Sequence, residues 1–204
     1  MLSSAYVFYR PTNSCDDPIF VTGAIDETAY HAFASQLFAA SDADPDKDLT
    51  ININSPGGSV HDGLEMIDLC KSVPNQITVV GTGHCASMGA MILACAASKG
   101  RRKIMPNCEV MLHQPLTGIQ GQASDVAIAA VYVVKLRERL YSMLAESTGK
   151  PVAKNAKDFD RDRWMTSEEA LAYGLIDEIV QPAYIDSAGC DYPRNSGTSI
   201  IMPS

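Results

Sequence analysis

Long apolar runs are scarce in this chain. The longest, residues 85–97, is interrupted by Ser87 and falls well short of the ~20 residues a membrane-spanning helix needs, so no membrane partner is expected. The start, Met1-Leu-Ser-Ser-Ala-Tyr-Val-Phe-Tyr-Arg10, lacks a basic lead into an apolar core and does not read as a secretory signal, which predicts a cytoplasmic protein. Paired cysteines are missing too. The six present (Cys15, Cys70, Cys85, Cys95, Cys108, Cys190) include no Cys-x-x-Cys, and several fall in apolar stretches where a thiol acts as a small hydrophobe. Neither a zinc site nor a disulfide framework is indicated. Basic runs stop at Arg101-Arg102-Lys103 in a chain of formal charge −8, which leaves no electrostatic footprint for nucleic acid. No Gly-x-x-x-x-Gly-Lys-Ser/Thr occurs, so any use of ATP belongs to a separate chain.

What is present suits one packed core. Of 204 residues, 46% are apolar and 20% charged, which excludes whole-chain disorder. Residues 1–180 read as a single domain, and 181–204, mixing Gly, Ser, Pro and Asn, as a flexible tail.

Strand and helix signals alternate along the domain. Residues 19–21 read as a short strand, and 26–40 as a helix with Tyr30, Phe33, Leu37 and Phe38 at helical spacing behind a capping Asp26. Residues 49–54 alternate apolar and polar side chains as a half-buried strand does, and Ser55-Pro-Gly-Gly58 turns the chain. A helix over about 60–72, a strand over 77–80 and a helix over about 86–97 opened by Gly81-Thr-Gly83 follow. Then come a strand over 108–112, an extended polar loop over 114–122 and a long helix over 123–147. Thr166-Ser-Glu-Glu169 is a capping-box pattern for a short helix ending at Gly174, and 175–180 closes as a strand. This alternation predicts an α/β fold with a mainly parallel sheet.

Ser87 falls where the helix over 86–97 begins, beside small residues (Gly83, Ala86, Gly89, Ala90) that let a carbonyl approach. Helix N-termini offer N–H donors without intrahelical partners, and the Met88 amide is aimed where an oxyanion would form. The ordinary role of a serine there is to cap the helix. His113 follows an apolar strand, at the carboxyl end where α/β proteins place their sites. His31, His61 and His84 read as ordinary satisfied histidines. Asp158, Asp160 and Asp162 share one charged stretch whose default is a solvated loop, and spacing does not choose among them. Ser55-Pro-Gly-Gly58 is by default a turn, and functionally a backbone donor near the serine.

Taken together, Asn54-Ser-Pro-Gly-Gly58, Ala86-Ser-Met-Gly-Ala90, Val110-Met-Leu-His-Gln-Pro115, Gly121-Gln122-Ala123, Asp160-Arg-Asp162 and Tyr173-Gly-Leu-Ile-Asp177 closely resemble the proteolytic subunit family of the Clp protease. The resemblance runs in order from about residue 19 to 180. It implies a serine peptidase with Ser87 as nucleophile, His113 as base, Asp162 as the residue orienting the histidine, and Gly58 and Met88 as oxyanion amides. It also implies a crotonase-like subunit of repeated strand-helix units with a protruding handle, strand plus long helix, over about 114–147. Two stacked seven-membered rings of identical subunits would enclose a chamber, and an AAA+ Clp ATPase would feed unfolded chains into it. Asp160 and Arg161 match a pair that couples ring contact to site order. No metal or bound cofactor is implied.

The sequence departs from the family pattern in a short segment before Tyr9, in residues 11–18, in His84-Cys85, and in an extra residue near 98–102. The first of these predicts impaired docking of an ATPase and favours a virus-type maturation peptidase working alone; a catalytically weak ring subunit is a separate reading, against which the complete Ser-His-Asp set argues. A dinucleotide-binding oxidoreductase using NAD competes, because Gly81-x-Gly83-x-x-Ala86 follows a strand, although no acidic residue stands about 20 residues downstream at a strand end. An α/β-hydrolase fits less well: position 85 is Cys, and the order is Ser, His, Asp.

Overall fold

The computed structural model describes residues 6–7, 18–180 and 182–183. Apart from 182–183, the expected tail lies outside the described residues, as does nearly all of the divergent 11–18 segment. The elements in chain order are β1 (Tyr6–Val7), β2 (Ile19–Thr22), α1 (Glu27–Ala43), β3 (Leu49–Ser55), α2 (Val60–Ser72), β4 (Ile77–Ala86), α3 (Met88–Cys95), β5 (Arg102–Ile104), β6 (Glu109–Leu112), α4 (Ala123–Thr148), α5 (Val152–Asp158), β7 (Arg163–Met165), α6 (Ser167–Tyr173), β8 (Glu178–Ile179) and β9 (Pro182–Ala183).

The main sheet is parallel in the order β2-β3-β4-β5-β8, and β1 and β9 form a separate parallel pair. One strand organises the site. β4 is long enough to serve two partners: it pairs with β5 at Val79–Gly81 and with β6 at His84–Ala86, after which β7 adds to β6 antiparallel. Between these segments the register with β3 shifts, Ile53 opposing Gly81 and Ser55 opposing Cys85. The extra length in β4 is taken up at Gly83, whose φ of +60° favours glycine and whose absent Cβ leaves room for the Asn54 side chain.

This corrects the expectation that Gly81-Thr-Gly83 opens a helix. The strand continues to Ala86 because β6, a neighbour distant in sequence, supplies backbone partners that a local reading of two glycines does not reveal. A strand at Arg102–Ile104 and the elements α5 and β7 were not foreseen, and the closing strand is shorter than 175–180.

Ile51, Ile53, Val79, Ile92, Leu93, Ile104 and Val110 form the centre of the core. α1 is capped as its sequence requires, Asp26 Oδ1 accepting from the Ala29 N–H at 2.8 Å. At α6 the capping box closes with Thr166 N–H on Glu169 Oε2 at 2.9 Å and Glu169 N–H on Thr166 Oγ1 at 3.3 Å. Arg102, buried under the start of β5, makes a forked bond to Asp177, with Nε to Oδ2 at 2.9 Å and a second nitrogen to Oδ1 at 2.5 Å. It also donates to the carbonyls of Ser147 and Gly174, so one guanidinium joins β5, the end of α4 and the α6–β8 turn.

Residues 114–122 pair with no strand among the described residues, so the strand expected for the handle is not formed within this single chain. α4 buries Leu140, Tyr141 and Leu144 near its end, while Ile128, Val131 and Val134 in its first half stay exposed.

Candidate active site

Strand registers bring the site together. Ala86 of β4 stands opposite Met111 of β6, and Leu112 of β6 stands opposite Arg163 of β7. One residue beyond each pairing, Ser87, His113 and Asp162 leave the three strand ends side by side. His113 Nε2 lies 2.9 Å from Ser87 Oγ, and His113 Nδ1 lies 3.1 Å from Asp162 Oδ1. An ionised carboxylate only accepts, so Nδ1 carries the proton in the neutral ring and Nε2 is left to accept the Ser87 hydroxyl.

Ser87 has φ 53° and ψ −118°, and it is the only non-glycine residue at positive φ among the described residues. Such a backbone costs about 1–3 kcal/mol for a side-chain-bearing residue and is held only where its surroundings fix it. Here the Ser87 N–H donates to the Met111 carbonyl at 2.8 Å, and the Ser87 carbonyl accepts from Met91 at 3.1 Å as the helix begins. The serine does not cap α3 with its side chain; the hydroxyl turns to His113 instead. That separates it from the ordinary N-cap serine.

The Ser55–Gly58 turn packs directly on this strand-to-helix corner. A Cβ on Gly57 would come within 2.7 Å of both the Ala86 carbonyl oxygen and Ser87 Cβ, so no larger residue fits. Gly58, at φ 150°, faces the Ile25 carbonyl at a distance that likewise excludes a side chain. Ser55 Oγ pins the turn by donating to the Gly23 carbonyl at 2.6 Å and accepting from the Gly57 N–H at 3.0 Å. Among the described residues neither the Gly58 nor the Met88 N–H has an acceptor, which leaves two backbone donors free next to Ser87. Beneath the serine and histidine lies a small apolar pocket lined by Val60, Met91, Leu112, Leu140 and Leu144.

The sequence model of the Clp protease family matches residues 10–183. The chain belongs to the Clp protease family. Members of this family are peptidases, generally oligomeric, that work with Clp ATPases. The mixed α/β architecture and mostly parallel sheet agree with Clp protease membership.

The aspartate ambiguity has a structural answer. Asp162 alone reaches His113. The Asp160 carbonyl accepts from Gln114 Nε2 at 3.0 Å, and its carboxylate stands 3.7 Å from the exposed Arg161. Asp158 is not solvated as its charged neighbourhood suggested: it pairs with Lys154 at 2.8 Å and Arg163 at 3.3 Å and accepts from Tyr173 at 2.9 Å. The Lys154 hydrogen bond, outweighing burial and joined by Tyr173, holds its carboxyl below the usual range.

His84 donates its backbone N–H to Asn54 Oδ1 at 3.3 Å and takes no part in the array, and His31 faces Glu27 at the surface. His61 bonds Tyr132 across to α4, a contact without any local signal in the residues around either position. The Gly-x-Gly of the dinucleotide reading lies inside β4 rather than at a strand-to-helix turn, so no helix N-terminus follows Gly83 to receive a pyrophosphate. No helix among the described residues is long and apolar enough to cross a membrane.

Proposed function

We propose that this chain is a serine endopeptidase working through an acyl-enzyme, with Ser87 as nucleophile, His113 as general base and Asp162 as its orienting partner. The observation that carries the reading is the Ser87–His113–Asp162 relay, at 2.9 and 3.1 Å, built on a serine in a strained backbone conformation. Ser87 Oγ attacks a peptide carbonyl while His113 Nε2 takes its proton, and the imidazolium formed is stabilised by Asp162. The Gly58 and Met88 amides receive the oxyanion. His113 then returns the proton to the leaving amine, leaving an ester on Ser87. Water, deprotonated by the same histidine, hydrolyses that ester and restores the hydroxyl. The chemistry calls for no metal or bound cofactor, and ATP is spent only by a partner AAA+ ATPase.

The reading extends to assembly. Identical subunits form two stacked seven-membered rings around a chamber that admits peptides and unfolded chains, with α4 and residues 114–122 as the handle between rings. Asp160 and Arg161, both largely exposed in the single chain, contribute contacts between subunits.

A second reading, a ring subunit with weak activity of its own, is favoured by one observation: the Asp162 side chain is 66% exposed. Water competes for such a carboxylate and weakens its hold on the histidine unless assembly covers it. The test is labelling with a fluorophosphonate, which needs an activated serine but no substrate subsites. Rapid labelling mapped by peptide mass to Ser87 supports the peptidase. Absence of labelling in the assembled protein supports the weak subunit.

A further inference from the structure

A second cleft adjoins the Ser87 pocket, and the two share Val60 and Pro115 as common wall. It has a volume of about 500 Å³ and runs between Gly58–His61 on one side, the loop 115–120 on another, and Ala129, Tyr132, Val133 and Leu136 of α4. A peptide whose carbonyl sits at the Gly58 amide therefore extends past this space. Among the described residues no Lys, Arg, Asp or Glu lines it, and His61 and Tyr132 are its only titratable groups.

Those two side chains are joined. His61 Nε2 and Tyr132 Oη are 2.6 Å apart, the ring planes differ by 2°, and the centroids are 6.3 Å apart. That separation is close to what two rings span when they meet end to end through one hydrogen bond. They therefore form one flat panel instead of a face-to-face stack. The bond pairs the Tyr132 hydroxyl with His61 Nε2 and leaves Nδ1 at the edge of the imidazole, so the faces of the panel offer π-surface. Leu116 and Ile119 in the loop supply an apolar counterpart.

We propose that the His61–Tyr132 panel is a substrate subsite selective for a flat aromatic side chain of the peptide, at a position removed from the scissile bond. The proposal rests on the peptidase reading above. A charged side chain entering the cleft loses water and gains no opposite charge, so it is disfavoured. A branched aliphatic chain fills space without stacking. An aromatic ring gains the additional ring–ring attraction, which corresponds to about two- to tenfold in kcat/KM.

The test uses the assembled protein and fluorogenic peptides with a fixed scissile bond, in which one Phe, Leu or Glu is moved a position at a time to either side. The expected result is one position where Phe exceeds Leu by about two- to tenfold and Glu is poorest. At that position the preference should persist in Tyr132→Phe, which keeps the ring, and collapse towards one in Tyr132→Leu, which keeps bulk without a ring. Native mass of each variant is measured alongside, so that the ratio is compared within intact assemblies. Equal Phe and Leu at every position, or an undiminished preference in Tyr132→Leu, overturns the subsite while leaving the peptidase intact. Failure of the wild-type protein to cleave any peptide or to label with fluorophosphonate overturns the peptidase reading itself and the subsite with it.

Discussion

His113 meets Asp162 because β6 and β7 run antiparallel with Leu112 opposite Arg163, which sets the next residue of each strand side by side and brings Nδ1 to 3.1 Å from Oδ1. The relationship is one of register, and it makes Asp162 replaceable by neither of the nearby aspartates.

Asp162→Asn should lower kcat for a short peptide by roughly 10²–10⁴, since an amide oxygen no longer stabilises the imidazolium and the amide nitrogen can turn the ring to the wrong tautomer. Asp160→Asn should leave the His113 contact in place and shift the native mass distribution instead. Steady-state kinetics with light scattering on both variants separates the roles. Equal losses of kcat with unchanged mass would contradict the assignment.

Arg102→Ala should destabilise the fold by about 2–3 kcal/mol, because it takes a buried guanidinium away from the part-buried Asp177 carboxylate and from the Ser147 and Gly174 carbonyls. Burial pushes the Asp177 carboxyl up, but the Arg102 guanidinium and the Arg102 and Gly100 N–H groups more than offset this and hold it below its ordinary range. Its contribution to stability is thus present above the unfolded-state value of ~3.9 and is lost as pH falls through the lower folded value. In the variant the guanidinium is lost while the two backbone N–H bonds remain, so the folded value moves up towards the unfolded one and the pH-dependent contribution shrinks. The gap in Tm between wild type and variant should therefore narrow from pH 7 towards pH 4. A gap independent of pH would contradict this account of the pair.

The buried thiols should be inert. Burial raises Cys70 to about 12 and Cys95 to about 11, and Cys85, hydrogen-bonded by Cys108 and buried, also lies well above an ordinary thiol. Iodoacetamide on the native protein should leave these three unmodified by peptide mass and peptide hydrolysis unchanged. Inactivation that tracks with modification of Cys85 would point to a thiol in the chemistry.

Purified protein should run near seven or fourteen subunits by light scattering. Ile128, Val131 and Val134 otherwise leave an apolar stripe of α4 in water, and such stripes mark interfaces. Val131→Asp should shift the particle towards smaller species. A monodisperse single subunit from the wild-type chain would remove the chamber from the proposal.

Much of the fold was legible because its signals are local. Asp26 caps α1, the Thr166–Glu169 box opens α6, Gly174 closes it in a left-handed conformation, and α2 spans Val60–Ser72 as expected. The unread parts depend on distant partners. β4 runs through Gly81 and Gly83 because β6 pairs with its end, and β7 is a three-residue strand whose existence depends on β6. Without β7, nothing in Asp158-Phe-Asp-Arg-Asp162 distinguishes a paired carboxylate from a solvated one, so only the family resemblance singled out Asp162. The strained backbone of Ser87 has no residue-level signal at all, and the His61–Tyr132 bond joins positions 71 residues apart.

The central claim is that the Ser87 hydroxyl is the nucleophile. Its most direct test is hydrolysis of a short fluorogenic peptide by wild-type protein and by Ser87→Ala at matched concentration and native mass. The account predicts clear turnover by the wild type and a loss of roughly 10⁴–10⁶ in kcat in the variant. Turnover by Ser87→Ala near the wild-type rate would contradict it.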